Sequence, residues 1–221
     1  MFSHLPLILT AKTEFFCHTQ YVTEHYFSAS PQTAAKLREI KVQLGGQERT
    51  VTTGAGVFSG DDVDRGTRVL LNTTAPVPSG NVLDLGCGWG AISLDSALQA
   101  PDATVWALDV NTRALELTAS NAVALGLRNV RTVTAAEIPA ELCFEQIRSN
   151  PPIRVGKAVL HDLMHTWLPR LVRGGSCEMV VAKNLGAVSF EKWLVENFEA
   201  THEVTRIARD KGFHVIAVTK R

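Results

Sequence analysis

The sequence predicts an α/β unit on a mostly parallel sheet, with an antiparallel last strand and a small N-terminal β-hairpin. Three observations carry this. From Asn81 onward, short strand-like runs alternate with segments of helical periodicity, the pattern of βαβ units whose sheet is covered on both faces. His202 to Ile207 and Phe213 to Val218 are joined by Arg209-Asp210-Lys211-Gly212, and strands joined by so short a turn run antiparallel. Leu37 to Leu44 and Glu48 to Thr53 flank Gly45-Gly46, a hairpin signal.

In order, the 221 residues divide as follows. Residues 1–22 carry no helical or strand periodicity. They are either a mobile tail or a stretch ahead of a true start at Val22. Residues 23–75 form an extension holding the hairpin, a Gly- and Asp-rich loop from Gly54 to Gly66, and a short helix beginning at Thr67-Arg68-Val69-Leu70-Leu71. Residues 76–221 form the main domain, packed as one unit with the extension. Its first strand is Val82 to Leu85 and its first helix Ala91 to Leu98. The next strand is Thr104 to Leu108, and the helix from Asn111 to Leu125 ends where Gly126 suits a helix stop. Val130 to Val133 and Phe144 to Ile147 are strands, Lys157 to Val172 a helix, Cys177 to Ala182 a buried strand and Ser189 to Phe198 a helix.

A hydrophobic share of 45% with 20% charged residues is that of a soluble globular chain with a real core. Lys+Arg and Asp+Glu balance at 22 each, so bulk charge recruits neither nucleic acid nor anionic membrane; any nucleic-acid contact needs a local basic patch. Cys17, Cys87, Cys143 and Cys177 lie far apart with no C-x-x-C pair, which predicts reduced thiols and no metal centre. No apolar run approaches the ~20 residues needed to span a membrane, and the start lacks a basic leader region, so the chain is expected in the cytoplasm.

The chemistry concentrates in two loops. Asp84-Leu85-Gly86-Cys87-Gly88-Trp89-Gly90-Ala91 joins the first main strand to its helix, and glycines there let the backbone turn sharply against a ligand. Asp109 ends the second strand, 23 residues beyond Gly86, where an acid accepts ribose hydroxyls. Gly86-x-Gly88-x-x-Ala91 also satisfies the dinucleotide fingerprint, so NAD stays open from this loop alone. Asp84 favours S-adenosylmethionine (SAM), because a carboxylate beside the ligand suits a cationic amino acid end and repels a diphosphate. Cys87 reads as a small residue tolerated in the turn.

The second loop, Ser149-Asn150-Pro151-Pro152-Ile153, follows the fourth strand at the carboxyl edge of the sheet, 64 residues after Gly86. Two prolines stiffen the turn, supply no N–H, and leave its carbonyls free to accept. An aromatic amine is a poor nucleophile because its lone pair is delocalised. The Asn150 amide oxygen and the Pro151 carbonyl can hold its two hydrogens and aim the lone pair at a sulfonium methyl. Asn-Pro-Pro alone also occurs as an ordinary turn; its position after the glycine loop is what separates SAM from NAD.

From Glu24 to Val218 the chain resembles the catalytic domain of the ribosomal RNA small subunit methyltransferase C family. The matching stretches are His25-Tyr26-Phe27-Ser28, Gly56-Val57-Phe58-Ser59, Asp64-x-Gly66-Thr67-Arg68-x-Leu70-Leu71, the Asp84 to Gly90 loop, Ser149-Asn150-Pro151-Pro152 and Lys211-Gly212-Phe213. The resemblance implies a Rossmann-like SAM-dependent methyltransferase acting on guanine N2 in ribosomal RNA or the small ribosomal subunit. It implies Phe58 and Thr67 near the methionine end of SAM, Asp109 on the ribose, Glu137 near the adenine, and Asn150 with Pro151 on the guanine amine. Two departures stand out: Ile153 occupies a place where many members carry a base-stacking aromatic residue, and the resemblance covers the catalytic domain without the second, degenerate domain of longer members.

The expected cofactor-binding set is therefore Phe58, Thr67, Asp84, Gly86, Cys87, Gly88, Gly90, Asp109, Val110, Glu137 and Asn150, and the catalytic set Asn150, Pro151, Pro152 and Ile153. Arg154, Lys157, Lys183, Arg209 and Lys211 flank strand ends and form either an RNA-phosphate patch or a solvated rim. His161 and His165 share a helix face at a zinc-binding spacing but lack a third ligand. Trp89, Trp106, Trp167 and Trp193 read as core or half-buried residues, with Trp89 the one candidate for a cofactor contact. Adenine N6 and protein glutamine remain alternative acceptors, and a non-catalytic RNA-binding relative is the reading from another class.

Overall fold

The computed structural model describes residues 36–221. The expectations for residues 1–22 and the His25 to Ser28 match lie outside them. Strands β1 (Leu37–Leu44) and β2 (Gln47–Gly54) form the hairpin, turned by Gly45 and Gly46 at φ 57° and 75°. Helix α1 (Arg65–Thr73) leads into β3 (Gly80–Leu85), α2 (Ala91–Gln99), β4 (Ala103–Leu108), α3 (Thr112–Ala124), β5 (Val130–Val133) and β6 (Phe144–Ser149). Then come α4 (Lys157–Trp167), β7 (Leu171–Ala182), α5 (Ala187–Phe198), β8 (His202–Asp210) and β9 (Phe213–Lys220). The seven-stranded sheet has the order β5-β4-β3-β6-β7-β9-β8, and β9 runs antiparallel to both neighbours. The antiparallel strand is thus interior, and β8 is the edge.

Successive strand residues face opposite sides. Leu83, Leu85, Trp106, Ile147 and Met179 pack under α4 and α5 through Leu160, Met164, Phe190 and Leu194. Val82 and Val105 meet Ala97 of α2 on the other face. That face also holds a buried polar layer. Arg148 donates to the Ala75 carbonyl at 2.6 Å and its Nε stands 3.8 Å from Glu178, which accepts from Gln146 at 3.0 Å.

The hairpin is docked rather than appended. Val42, Leu44 and Val51 pack on Leu94, Leu117 and Trp89. Asn121 of α3 stands in for a third strand: its Oδ1 accepts from Thr52 N at 2.7 Å and its Nδ2 donates to Thr52 O at 2.8 Å.

Three element boundaries differ from expectation by three residues or more. The helix predicted to reach Val172 ends at Trp167, where Pro169 enters a short 3₁₀ turn and cannot donate to the preceding turn. Strand β7 consequently starts at Leu171 instead of Cys177. β8 runs on to Asp210 through a register shift between Arg206 and Ala208, which breaks the alternation by which a strand is read and leaves Lys211-Gly212 as the whole turn.

Candidate active site

Three strand ends meet at one edge of the sheet. β3 ends before Gly86, β4 before Asp109 and β6 before Asn150, with β3 between the other two. Strand order reverses there, the place where open α/β sheets bind ligands. Gly86 N and Cys87 N both donate to Leu108 O at 2.9 Å, closing the glycine loop onto β4. Gly86, Gly88 and Gly90 take φ of 88°, 58° and 102°, left-handed values that a β-carbon disfavours. A β-carbon on Gly86 would project into open space. On Gly90 it would stand 3.0 Å from Thr118 Oγ1, so Gly90 answers to packing.

Of the expected cofactor-binding residues, Phe58, Thr67, Gly86, Cys87, Gly88 and Asn150 line one hollow. Ser59, Asp64, Trp89, Ala91 and Ile92 line it too. Trp89 is buried and donates from Nε1 to Ser59 O at 3.1 Å, so it fixes the segment carrying Phe58 over the glycine loop. Asp109 is not among the lining residues and joins the hollow through Gly88: its Oδ2 accepts from Gly88 N and its Oδ1 from Asn111 N, each at 2.9 Å. Each oxygen keeps a further lone pair able to accept another hydrogen bond. Val110 is exposed beyond it, and the exposed Glu137 carboxylate is turned back on Thr134, whose N–H and hydroxyl it accepts at 2.7 Å each. Those backbone and hydroxyl bonds hold its pKa down.

Asp84 differs from expectation. It faces α2 beneath the glycine loop instead of lining the hollow, because its strand position points to that side. Its Oδ2 accepts from Ser93 Oγ at 2.6 Å, and its Oδ1 has no partner among the described residues. Burial pushes its pKa up to about 7, with the Asp109 carboxylate adding to the effect. Asp84 therefore brings little charge to the ligand, and the acid beside the glycine loop is Asp109, which suits a cationic ligand such as SAM better than a diphosphate. Burial also drives the Cys87 thiol well above its usual range, so it stays protonated and plays no nucleophilic part.

Ser149 Oγ donates to Leu85 O at 2.7 Å and pins the Asn-Pro-Pro loop against the residue before Gly86. Asn150 Nδ2 donates to Asp64 Oδ2 at 3.0 Å and to Thr67 Oγ1 at 3.1 Å. The same Asp64 oxygen accepts from Gly66 N at 2.7 Å and Thr67 N at 3.2 Å, capping α1. Asp64 is the residue sequence reasoning missed. The available signal was its N-cap position ahead of Gly66-Thr67; its partnership with Asn150, 86 residues away, left none.

Pro151 also differs. Its carbonyl is not free: it accepts from Ile153 N at 2.8 Å, with Pro152 at φ −75° and ψ 71°, an inverse γ-turn. One lone pair on that oxygen remains. Ile153 packs against the main core instead of the hollow, since this tight turn carries it inward. The rim cations divide. Lys183, Arg209 and Lys211 line a separate groove, in which Lys157 takes no part. His161 stacks on Trp193 with centroids 3.6 Å apart and His165 meets the same ring edge-on at 5.3 Å. Among the described residues no group of three His, Cys, Asp or Glu is placed to hold a metal, and no helix is long and apolar enough to cross a membrane.

Residues 48–217 match the model of the methyltransferase small domain family. The chain is 34% identical to the uncharacterized protein YbxB of Bacillus subtilis (strain 168), over 90% of this chain and all of that protein. It is 32% identical to the ribosomal RNA small subunit methyltransferase C of Salmonella choleraesuis, over 76% of this chain and 49% of that protein, so it spans about half the length of such relatives. Its fold is that of the T. thermophilus 16S rRNA N2 G1207 methyltransferase, with a TM-score of 0.73 and 24% identity over 86% of this chain and 52% of that one. With the glycine loop and Asn150 lining one hollow, and the acid at the end of β4 bonded to Gly88 of that loop, the chain belongs to the methyltransferase small domain family and is a SAM-dependent methyltransferase.

Proposed function

We propose that this site methylates the exocyclic N2 of a guanine in ribosomal RNA. The orientation of the Asn150 amide carries the reading. Asp64 ends in a carboxylate, which only accepts, so the Asn150 NH₂ faces it and the amide oxygen faces the other way. Reversed, that oxygen would stand against a carboxylate. The group Asn150 offers to a substrate is therefore an acceptor, matched to a nucleophile bearing N–H. A ring nitrogen presenting a lone pair would meet another lone pair there.

Bound at the glycine loop, SAM supplies a methyl group on a positively charged sulfur. Asn150 Oδ1 accepts one amine hydrogen and the remaining lone pair of Pro151 O the other. Holding both draws the nitrogen lone pair out of conjugation with the ring. That pair would be the nucleophile toward the methyl carbon, and the electrons of the broken C–S bond would stay on sulfur. The extra proton on nitrogen then leaves to water, so no strong base is needed at this turn.

Ribosomal RNA as substrate is supported by the names of the relatives matched at 32–36% identity. The proposed RNA contacts are Lys183 and Lys211, joined by Arg209. The test is tritiated SAM with purified ribosomal subunits, followed by nucleoside analysis. Label as N2-methylguanosine is expected. Label as N6-methyladenosine or on a protein glutamine would replace the acceptor. RNA binding with no label would make the chain a non-catalytic relative.

A further inference from the structure

We infer that the groove between the β8–β9 turn and the start of α5 is a phosphodiester site that holds the RNA backbone beside the target base. This deepens the reading above and rests on it. The groove encloses about 390 Å³ and is lined by Lys183, Arg206, Arg209, Asp210, Lys211 and His214, with Phe213 among its walls. Arg206 is engaged by Glu191, to which its Nε donates at 2.7 Å. That leaves Lys183, Arg209 and Lys211, all exposed, against the single carboxylate of Asp210, which stands 3.9 Å from Lys211 Nζ. In a chain whose formal net charge is zero, this is a local cationic excess.

Two further observations suit the groove to a ligand. His214 is buried at its wall, and its Nδ1 has no hydrogen-bond partner in a region where an unused polar atom is costly. Lys211 is one of two non-glycine residues with positive φ among the described residues, at 48°, followed by Gly212 at 85°. The two-residue turn holds the lysine in a backbone conformation that its β-carbon disfavours. The wall is fixed by Lys183 N donating to Gly212 O at 2.9 Å.

Position relates the groove to the chemistry. The Phe213 ring, part of the groove, lies so close to Gly66 that a β-carbon there would stand 3.0 Å from it. Gly66 N in turn donates to the Asp64 oxygen that orients Asn150. A strand whose guanine enters the hollow thus passes its neighbouring phosphate over Lys183 and Lys211. The cations position, and the hollow reads the base.

The experiment compares the full chain with its Lys183→Gln/Arg209→Gln/Lys211→Gln variant, using fluorescence anisotropy of a labelled mixed-sequence single-stranded RNA across a salt series. Calorimetry with SAM and a melting curve confirm that the variant is folded. RNA affinity is expected to fall by about tenfold or more at 0.1 M salt. The slope of log K against log salt should lose about 2 units, as for three single-strand phosphate contacts. SAM affinity should be unchanged.

Equal affinity and slope in the two proteins would overturn the site. So would an equal loss from Lys192→Gln, on the exposed face of α5. Inorganic phosphate displacing the RNA better than chloride at matched ionic strength would make it a site for free phosphate. Guanine methylation with an unaltered KM for RNA in the variant would sink the groove and spare the reaction. Weakened RNA binding with label found only in protein would do the reverse.

Discussion

Replacing Asp64 by alanine tests the geometry of the Asn-Pro-Pro loop through a residue that lines the hollow and acts in the proposed scheme by orienting Asn150. One carboxylate oxygen accepts three N–H groups: two backbone amides at the start of α1 and the Asn150 side chain. Loss of an N-cap costs about 1 kcal/mol, and a chain of this size should lose roughly 2–4 °C in Tm. Loss of a hydrogen bond to a charged group costs about 1.5–3 kcal/mol. If that energy holds Asn150 in its productive orientation, kcat should fall roughly 10- to 100-fold. KM for SAM should move little. Asp64→Asn keeps an accepting oxygen and should recover most of both losses. The decisive assay is single-turnover methyl transfer by Asp64→Ala, Asn150→Ala and the double variant. Because Asp64 acts through Asn150, the double variant should be no slower than Asn150→Ala alone. Losses that multiply, or an Asp64→Ala enzyme with wild-type kcat and only a lowered Tm, would refute the orienting role.

Asp84 should give the fold a pH dependence. Its pKa is raised, from 3.8 to about 7, so between those values the folded chain holds a proton that the unfolded chain releases. The associated stability is full below about pH 4 and is lost as pH rises through about 7, about 3 kcal/mol between pH 5 and 8.5. Urea melts should show that loss in the wild type but not in Asp84→Asn; parallel curves would contradict the assignment. Gly86→Ala puts a methyl group into the hollow at φ 88°, where an L-residue costs about 1–2 kcal/mol. Its Kd for SAM by calorimetry should rise at least about tenfold with the far-ultraviolet dichroism unchanged. Asn121→Ala removes the bonds that tie β2 to α3 and leaves buried partners unmet. It should lower unfolding free energy by about 2–4 kcal/mol in urea, and a change under 0.5 kcal/mol would show the hairpin to be held by its apolar face alone.

The legible parts of this protein were those written in contiguous residues. The Gly86 to Gly90 loop announces itself because tight turns beside a ligand require glycine, and Gly45-Gly46 because a two-residue hairpin needs two positive φ values. Asn150 was legible because Pro151 and Pro152 mark the turn. What escaped depends on pairs distant in sequence or on which side a residue faces. Asp64 stands in the sequence only as the first residue of the stretch that runs to Leu71, and only folding brings it to Asn150. Asp84 reads as a ligand carboxylate, yet strand alternation turns it under α2 toward Ser93. Ile153 reads as a surface for a base, but the γ-turn at Pro152 turns it, half-buried, against the core. The end of α4 was overrun because Pro169 lies inside a segment that is apolar at helical spacing on both sides.

The central claim is that the Asn150 amide oxygen holds an N–H nucleophile against the methyl donor. Single-turnover transfer by Asn150→Ala, at saturating SAM and RNA, tests it most directly. The rate should fall by ~10²-fold or more while calorimetry returns a nearly wild-type Kd for SAM. A variant that transfers at the wild-type rate, or one that fails because it no longer binds SAM, would contradict it.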